Sequence, residues 1–214
     1  MKLYIYGRGG TGREVLDIAL RINACEFRWN DFQFIDDTEN SSDSELTVVA
    51  LDDIPANELC EVIVAVGEPE VRKALYNRVK SKNLKFATLI DPSSIVSPSC
   101  KLGNGCIIYP NTVVSCSSDV SENVMVQFNT IIGHDIVVGP HTVVSSCVTL
   151  GGGVAIGELT FVGMGSLIKE RVTVGAQSIV GLGSVVYKDI PDGMIVVGNA
   201  ARVVRRNEDK KVFK

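Results

Sequence analysis

The sequence is poor in the residues that build metal sites and disulfide frameworks. It has two histidines, His134 and His141, so a zinc site made of three histidines is excluded. Its 6 cysteines contain no C-x-x-C pair, and Cys100 and Cys106 fall where a repeat described below demands small buried side chains. We therefore expect reduced cysteines and no bound metal.

Charge and hydropathy exclude two further classes of partner. The formal net charge of -4 carries no basic bias, so a nucleic-acid partner has no electrostatic support. No apolar run approaches the length of a membrane span, and Arg8 with a glycine cluster interrupts the short apolar start, so no signal peptide is predicted. We expect a cytoplasmic protein without nucleic-acid or membrane partners.

From residue 90 onward the sequence repeats every six residues. A branched aliphatic residue stands at every sixth position from Ile90 to Val186, and a small or β-branched residue follows each of them four places later. A period of six fits neither an α-helix nor a simple strand. It is typical of a hexapeptide β-helix, in which each hexad forms one flat side and one corner of a triangular coil.

The geometry of such a coil explains the two series of residues. The large aliphatic fills the middle of a side, and only a small side chain fits near the corner. Stacked coils pair their backbone groups along the axis, so N–H and C=O groups find partners in neighbouring coils. The period does not fix the handedness of the coil. We predict a β-helix domain with a C-terminal tail over residues 89–214 and a separate domain over residues 1–88.

The first 88 residues have the pattern of a small α/β, Rossmann-like domain. An alternating apolar segment at 2–6 runs into a glycine cluster at 7–12, and a helical pattern follows. Further strands are predicted at 32–35, 62–66 and 86–89, and a second helix from Pro69 to about Lys80.

Strand, glycine loop and helix in this order suit a nucleotide phosphate, because glycines let the backbone approach and the helix N-terminus attracts an anion. Asp36 and Asp37 end the second strand, where an acid meets a ribose or sugar hydroxyl in nucleotide-binding folds. The alternative is that the loop only makes a tight turn. About 85 residues supply one of the two mononucleotide halves that a dinucleotide needs, so a nucleotide-linked small molecule fits better than NAD.

Gly133, His134 and Asp135 form the best candidate for catalysis. A neutral imidazole is available as a base near pH 7, and a nearby carboxylate can orient it and stabilise its protonated form. His134 comes two places after the aliphatic Ile132, hence off the core column. Adjacent strand residues face opposite ways, so contact between the His134 and Asp135 side chains requires an intervening corner. His141 is the competing base.

Five sequence features together resemble a family of bacterial sugar acetyltransferases. They are Y-I-Y-G-R-G-G-T-G-R-E at 4–14, F-I-D-D at 34–37, A-V-G at 65–67, the unbroken hexads with G-H-D at 133–135, and G-N-A-A-R at 198–202. This family joins a sugar-nucleotide-binding domain to a left-handed parallel β-helix. It includes UDP-4-amino-sugar and GDP-perosamine N-acetyltransferases and sialic acid O-acetyltransferases.

The resemblance implies a homotrimer that uses acetyl-CoA as co-substrate, with the active site between neighbouring β-helices. It implies His134 as catalytic base and Asp135 as the acid that raises its basicity. The nucleotide-sugar positions implied are Gly9, Gly10, Thr11, Asp36, Asp37 and Gly67. The groove beside the later coils, near Val143, Met164 and Leu182, is implied to hold acetyl-CoA.

The implied reaction acetylates the 4-amino group of a nucleotide-linked amino-deoxy sugar, for surface glycan or O-antigen biosynthesis. The alternative is O-acetylation of sialic acid or another sugar hydroxyl. The chain departs from the family pattern where Val143 replaces a common second histidine, Thr11 a common histidine, Gln127 an asparagine and Ala200 a proline. Two rivals of other classes are a purely structural β-helix subunit and a nucleotide-binding oxidoreductase.

Overall fold

The computed structural model describes residues 1–37, 46–55 and 58–213. Its N-terminal region has the order β1, α1, β2, β3, a 3-10 turn, β4, α2 and β5. These elements are β1 (Lys2–Tyr6), α1 (Gly10–Cys25), β2 (Asp31–Ile35), β3 (Val48–Val49), the turn at Leu51–Asp53, β4 (Cys60–Val64), α2 (Pro69–Ser81) and β5 (Lys85–Phe86).

The N-terminal strands form one parallel sheet in the order β3-β2-β1-β4-β5. Their near-continuous apolar sequences suit a sheet covered on both faces. On one face, buried residues of β1 and α1 such as Ile5 and Val15 share a cluster with residues of the later repeat. On the other, Tyr4 and Tyr6 pack with Val79 of α2. The predicted α/β fold is confirmed.

Two strand predictions need correction. The strand predicted at 62–66 runs from Cys60 to Val64, because that segment aligns residue by residue with β1. The single strand predicted at 86–89 is two strands in two sheets. The Ala87 amide still bonds Val62 of the N-terminal sheet, whereas the Leu89 amide bonds Cys106 of the repeat.

The repeat region is a left-handed parallel β-helix of about 8 turns. Its two-residue strands are β6 (Leu89–Ile90), β7 (Ile95–Val96), β8 (Lys101–Leu102), β9 (Ile107–Ile108), β10 (Val113–Val114), β11 (Asp119–Val120), β12 (Met125–Val126), β13 (Ile131–Ile132), β14 (Val137–Val138), β15 (Val143–Val144), β16 (Thr149–Leu150), β17 (Ala155–Ile156), β18 (Phe161–Val162), β19 (Leu167–Ile168), β20 (Thr173–Val174), β21 (Ile179–Val180) and β22 (Val185–Val186). Two longer strands, β23 (Met194–Val197) and β24 (Arg202–Arg206), follow as an antiparallel pair.

Three parallel sheets form the sides of the prism. The covered side contains β6, β9, β12, β15, β18 and β21 and continues into β23 and β24. The bare side contains β7, β10, β13, β16, β19 and β22, and the polar side contains β8, β11, β14, β17 and β20. Each strand pairs with the strand 18 residues later, as Val113 does with Ile131, so equivalent positions stack in columns.

The aliphatic column is buried from Ile108 to Val186, as the period of six predicts. At the first coils it is less covered, and Ile90 is 38% exposed because no earlier coil lies below it. Small residues fill the corners, and their hydroxyls bond the same corner of the next coil: Thr130 Oγ1 donates to the Ser145 carbonyl at 2.8 Å. Serine and threonine therefore hold the corners by hydrogen bonds as well as by size.

The described residues of the N-terminal region pack on the covered side. The outward residues Ile107, Met125 and Val143 are at most 1% exposed, because they pack in the same cluster as β1 and α1. On the bare side the equivalent residues Ile131 and Leu167 remain 46% and 47% exposed. The β-helix thus carries two apolar sides, and among the residues that the structure describes the N-terminal region covers one of them.

A buried arginine fastens the two parts together. The Arg72 guanidinium donates to the carbonyls of Val64 and Val66 beside the N-terminal sheet, and to the carbonyl and side-chain oxygen of Asn123 on the β-helix. Burial lowers the pKa of Arg72 to about 10, so the group stays cationic at neutral pH. Sequence reasoning missed this contact, because an arginine on an amphipathic helix gives no signal of its partner.

Candidate active site at a β-helix corner

His134 lies at the corner between the bare and polar sides, after β13 ends at Ile132. The corner is held from both directions along the axis. Ser118 Oγ donates to the Gly133 carbonyl at 2.9 Å, and the Gly153 amide donates to the His134 carbonyl at 2.8 Å. Because the coils below and above fix its backbone, the imidazole stands on a rigid support.

The His134 and Asp135 side chains are in contact. Nδ1 of His134 lies 2.7 Å from Oδ2 of Asp135, and the two side chains are 63% and 65% exposed. Asp135 has φ 57, a left-handed conformation that turns the chain at the corner. A corner therefore does intervene between these adjacent residues, which is the condition for the contact.

The contact sets the roles of the two ring nitrogens. A carboxylate only accepts hydrogen bonds, so Nδ1 of His134 donates to Asp135. In the neutral ring Nε2 then carries a lone pair and can accept a proton. An exposed imidazole oriented by a carboxylate can act as a general base.

His141 occupies a different environment. It lies at the corner between the polar and covered sides and is 5% exposed. Its Nδ1 accepts a hydrogen bond from Asn123 Nδ2 at 2.9 Å, and Tyr76 contacts its ring edge-to-face at a centroid distance of 5.5 Å. Burial, with smaller contributions from the cations Lys73, Arg72 and Lys80, lowers its pKa to about 4. A buried, neutral and already bonded imidazole is a poor candidate for a base.

The N-terminal candidates lie at one edge of their sheet. The carboxyl ends of β1, β2 and β4 are neighbours there, and Gly9, Gly10 and Thr11 begin α1 beside them. Gly9 and Gly10 are exposed. The approach of α1 to β1 requires a glycine, since a Cβ at Gly12 would lie 2.0 Å from the Gly7 carbonyl oxygen. An exposed helix N-terminus of this kind can bind a phosphate group through its backbone N–H groups.

The two aspartates at the end of β2 face different partners. Asp36 bonds Arg8 Nε at 2.7 Å. Asp37 accepts hydrogen bonds from the Tyr6 hydroxyl, the Leu51 amide and Arg78. Burial raises the pKa of Asp37, but these three bonds outweigh it and hold the pKa below its ordinary value. Asp37 is therefore a charged anchor between β1 and α2, in addition to any contact with a ligand.

Gly67 follows β4 at the same edge, and the C-terminal segment returns to it. A Cβ at Gly67 would meet the Phe213 ring at 3.7 Å. The Glu68 carboxylate accepts hydrogen bonds from the backbone amides of Val212 and Phe213 at about 3.0 Å. Sequence reasoning did not find this contact, because the tail has no periodic pattern.

The three residues predicted near acetyl-CoA differ in exposure. Val143 is 1% exposed, because its side chain packs in the cluster shared with β1 and α1. Met164 and Leu182 are 58% and 82% exposed. Both lie at corners between the covered and bare sides, one coil apart, and form an exposed apolar column along the axis.

The structure does not bring the three predicted groups together within one chain. The nucleotide edge belongs to the region on the covered side, whereas His134 lies at the corner opposite that side. Met164 and Leu182 lie across the bare side from His134. In the described parts of the chain no cluster of three His, Cys, Asp or Glu side chains suits a metal ion, and no helix there is long and apolar enough to span a bilayer.

Comparison with known proteins gives these features a context. Residues 2–79 match the family of PglD N-terminal domains. The acetyltransferase domain of PglB from Neisseria gonorrhoeae superimposes with a TM-score of 0.88 at 29% identity, over 95% of this chain and 99% of that one. The fold is that of the hexapeptide-repeat sugar acetyltransferases. The resemblance drawn from the sequence is confirmed.

Two further structures show the same hexapeptide-repeat architecture. A histidine-to-asparagine mutant of perosamine N-acetyltransferase from Caulobacter crescentus, in complex with CoA and GDP-perosamine, has 25% identity and a TM-score of 0.87, over 95% of this chain and 96% of that one. WeeI from Acinetobacter baumannii has 24% identity and the same TM-score, over 95% of this chain and 100% of that one. The PglB domain has also been solved with acetyl coenzyme A.

Proposed function

We propose that this protein transfers the acetyl group of acetyl-CoA to the 4-amino group of a nucleotide-linked amino-deoxy sugar, in the cytoplasm, for surface glycan or O-antigen biosynthesis. The observation that carries the proposal is the exposed His134–Asp135 pair, 2.7 Å apart, on a β-helix corner. The overall match to acetyltransferases, one solved with acetyl coenzyme A and one with CoA and GDP-perosamine, supports it.

The chemistry is direct transfer between the two substrates. The acceptor amine attacks the thioester carbonyl of acetyl-CoA while Nε2 of His134 removes its proton, and Asp135 stabilises the resulting imidazolium. A backbone N–H stabilises the oxyanion of the tetrahedral intermediate. Collapse of that intermediate breaks the C–S bond and leaves the amide, and the CoA thiolate takes the proton from the His134 imidazolium and leaves as the thiol.

A homotrimer reconciles this chemistry with the separation of the groups in one chain. The bare side is apolar and borders both the His134 corner and the Met164–Leu182 column. If bare sides meet neighbouring chains, the column of one chain approaches the histidine of the next. Burial of exposed residues such as Ile131 and Leu167 favours such an assembly.

Within this assembly we assign the two substrates to different parts of the chain. The nucleotide sugar lies at the strand-end edge of the domain at 1–88, against Gly9, Gly10, Thr11, Asp36, Asp37 and Gly67. Acetyl-CoA lies along the domain at 89–214 beside Met164 and Leu182. The open edge at Gly9 and Gly10, together with the exposure of Met164 and Leu182, supports this assignment.

A panel of acceptors tests the proposal. UDP-, GDP- and dTDP-linked 4-amino sugars, with free and CMP-linked sialic acid, are incubated with acetyl-CoA and thiol release is followed. We expect release with at least one amino sugar, and loss of release when its 4-amino group is replaced by hydroxyl. Release with sialic acid alone would refute N-acetylation and favour O-acetyl transfer.

A further inference from the structure

Gly152 lies directly above the His134 imidazole, one coil further along the axis. A Cβ built on Gly152 would lie 2.4 Å from Nε2, 2.6 Å from Cε1 and 3.0 Å from Cδ2 of that ring. These three ring atoms are its nearest contacts. The imidazole therefore occupies the space that a side chain at position 152 would need.

The backbone itself does not require glycine at this position. Gly152 is absent from the glycines that have a left-handed φ. Other members of its column, at 18-residue steps, carry side chains: Cys116, His134, Glu170 and Lys188. The preceding residue differs, since a Cβ at Gly151 would meet the backbone nitrogen of Glu170 at 2.6 Å. Gly151 is needed for the close approach of the next coil, whereas Gly152 leaves space for the imidazole.

We infer that Gly152 is a positioning residue for His134. With no side chain above it, the ring lies with Nδ1 on Asp135 and with Nε2 beneath the Gly152 position at the open corner. A methyl group at 152 forces the ring to rotate. Rotation breaks the 2.7 Å contact with Asp135 and changes the direction of the Nε2 lone pair. The catalytic consequence rests on the proposed function, but the geometric one does not.

Imidazole NMR tests the geometric claim without substrates. Because the chain has two histidines, ring nitrogens labelled with ¹⁵N give two sets of signals, assigned with the variants His134→Ala and His141→Gln. In Gly152→Ala we expect the His134 set to shift and to lose the signature of a bonded Nδ1–H. The His141 set, from a buried ring at the other end of the polar side, should stay unchanged. Unchanged His134 signals would overturn the inference.

A double-mutant cycle tests the consequence for turnover. Gly152→Ala should lower kcat by at least about tenfold, the effect of losing one hydrogen bond to a charged group, while KM for acetyl-CoA stays within about threefold. In a His134→Ala background the same change should have no further effect, because it acts through the ring. Glu170→Ala, in the next coil of the same column, is the matched control and should keep turnover within about threefold.

The two measurements separate failure of this inference from failure of the proposed function. An equal loss of turnover with and without His134 would mean that Gly152 acts on something other than the ring, and would overturn the inference. Shifted His134 signals with full turnover would support the positioning and refute His134 as the base.

Discussion

The covered and bare sides of the β-helix come from the same hexad pattern but have opposite environments. On the covered side Met125 is fully buried and the adjoining His141 is 5% exposed. On the bare side Ile131 is 46% exposed and the His134 side chain at the adjoining corner is 63% exposed. The comparison shows that packing of the N-terminal region, and not the repeat, decides which histidine faces solvent.

His141 is a structural residue because its ring packs against Tyr76 and bonds Asn123. His134 is a candidate base because its exposed ring bonds Asp135. The period of six implies none of these three partners. Tyr76 and Asn123 reach His141 from distant parts of the chain, whereas Asp135 is the next residue after His134 and contacts it at the corner. Four changes test whether this division holds.

Removal of His134 should have the largest effect. His134→Ala should lower turnover by about 10² to 10⁴, the range for loss of a positioned base, with acetyl-CoA binding preserved. Because the His141 ring is enclosed, His141→Gln should keep turnover within about tenfold. Steady-state kinetics with the accepted sugar measure both, and a drop below tenfold in His134→Ala would show that His134 is not the base.

Asp135→Asn should have the second-largest effect on turnover. Asparagine tolerates the left-handed φ of this corner but lacks the charge that stabilises the imidazolium. Loss of a hydrogen bond to a charged group corresponds to roughly a 10- to 100-fold fall in kcat. Asn111, with φ 58 at an equivalent corner, indicates that the backbone accepts the change. Unaltered kcat would remove Asp135 from the mechanism.

Charges on the bare side should break the assembly. In the double variant Ile131→Lys and Leu167→Lys, two cations replace exposed apolar residues that the proposed trimer buries. Light scattering should report a fall in mass to about one third, as expected for a closed three-fold oligomer. Val137→Lys, at a 51% exposed position on the polar side, is the matched control and should keep the mass. An unchanged mass in the double variant would place the interface elsewhere.

The buried histidine should give the smallest, pH-dependent effect. His141 has a pKa of about 4 when folded and roughly 6.5 when unfolded. The unfolded chain therefore binds the proton first, and stability falls as the pH drops from about 6.5 towards 4. The loss from pH 7 to pH 4.5 is about 2 kcal/mol for this group.

Thermal unfolding of wild type and His141→Gln measures this term. Between pH 7 and pH 4.5 the Tm of the wild type should fall further than the Tm of the variant. The difference should be about 5 °C, from the usual relation between unfolding free energy and Tm. Groups that titrate in both proteins cancel in the comparison. Parallel pH profiles would show that His141 is not held neutral by its surroundings.

The local elements followed from local signals. The six-residue aliphatic repeat from Ile108 to Val186 predicts the coil, because each aliphatic side chain packs against the equivalent side chains of neighbouring coils. The alternating apolar residues at 2–6 predicted strand β1, and the glycine cluster at 7–12 predicted the loop that follows it. The two strands at 85–90 were not predicted, because they pair with different sheets and nothing in these six residues indicates which sheet each strand joins.

The candidate site divides in the same way. G-H-D marks His134 and Asp135 directly, and their contact needed only a corner. The burial of the Val143 side chain could not be predicted, because it depends on residues of β1 and α1 more than a hundred positions away. Gly152 was missed because its importance lies in the ring beneath it, one full coil earlier in the chain.

The sequence by itself determined the prism, its three columns of outward residues and the two corners that hold histidine, since a fixed repeat places every residue relative to its neighbours. Only the tertiary structure decided which apolar side is covered, which histidine is neutralised by burial and which is left open beside Asp135. Exposure depends on contacts between residues far apart in the chain, and a local repeat does not encode them.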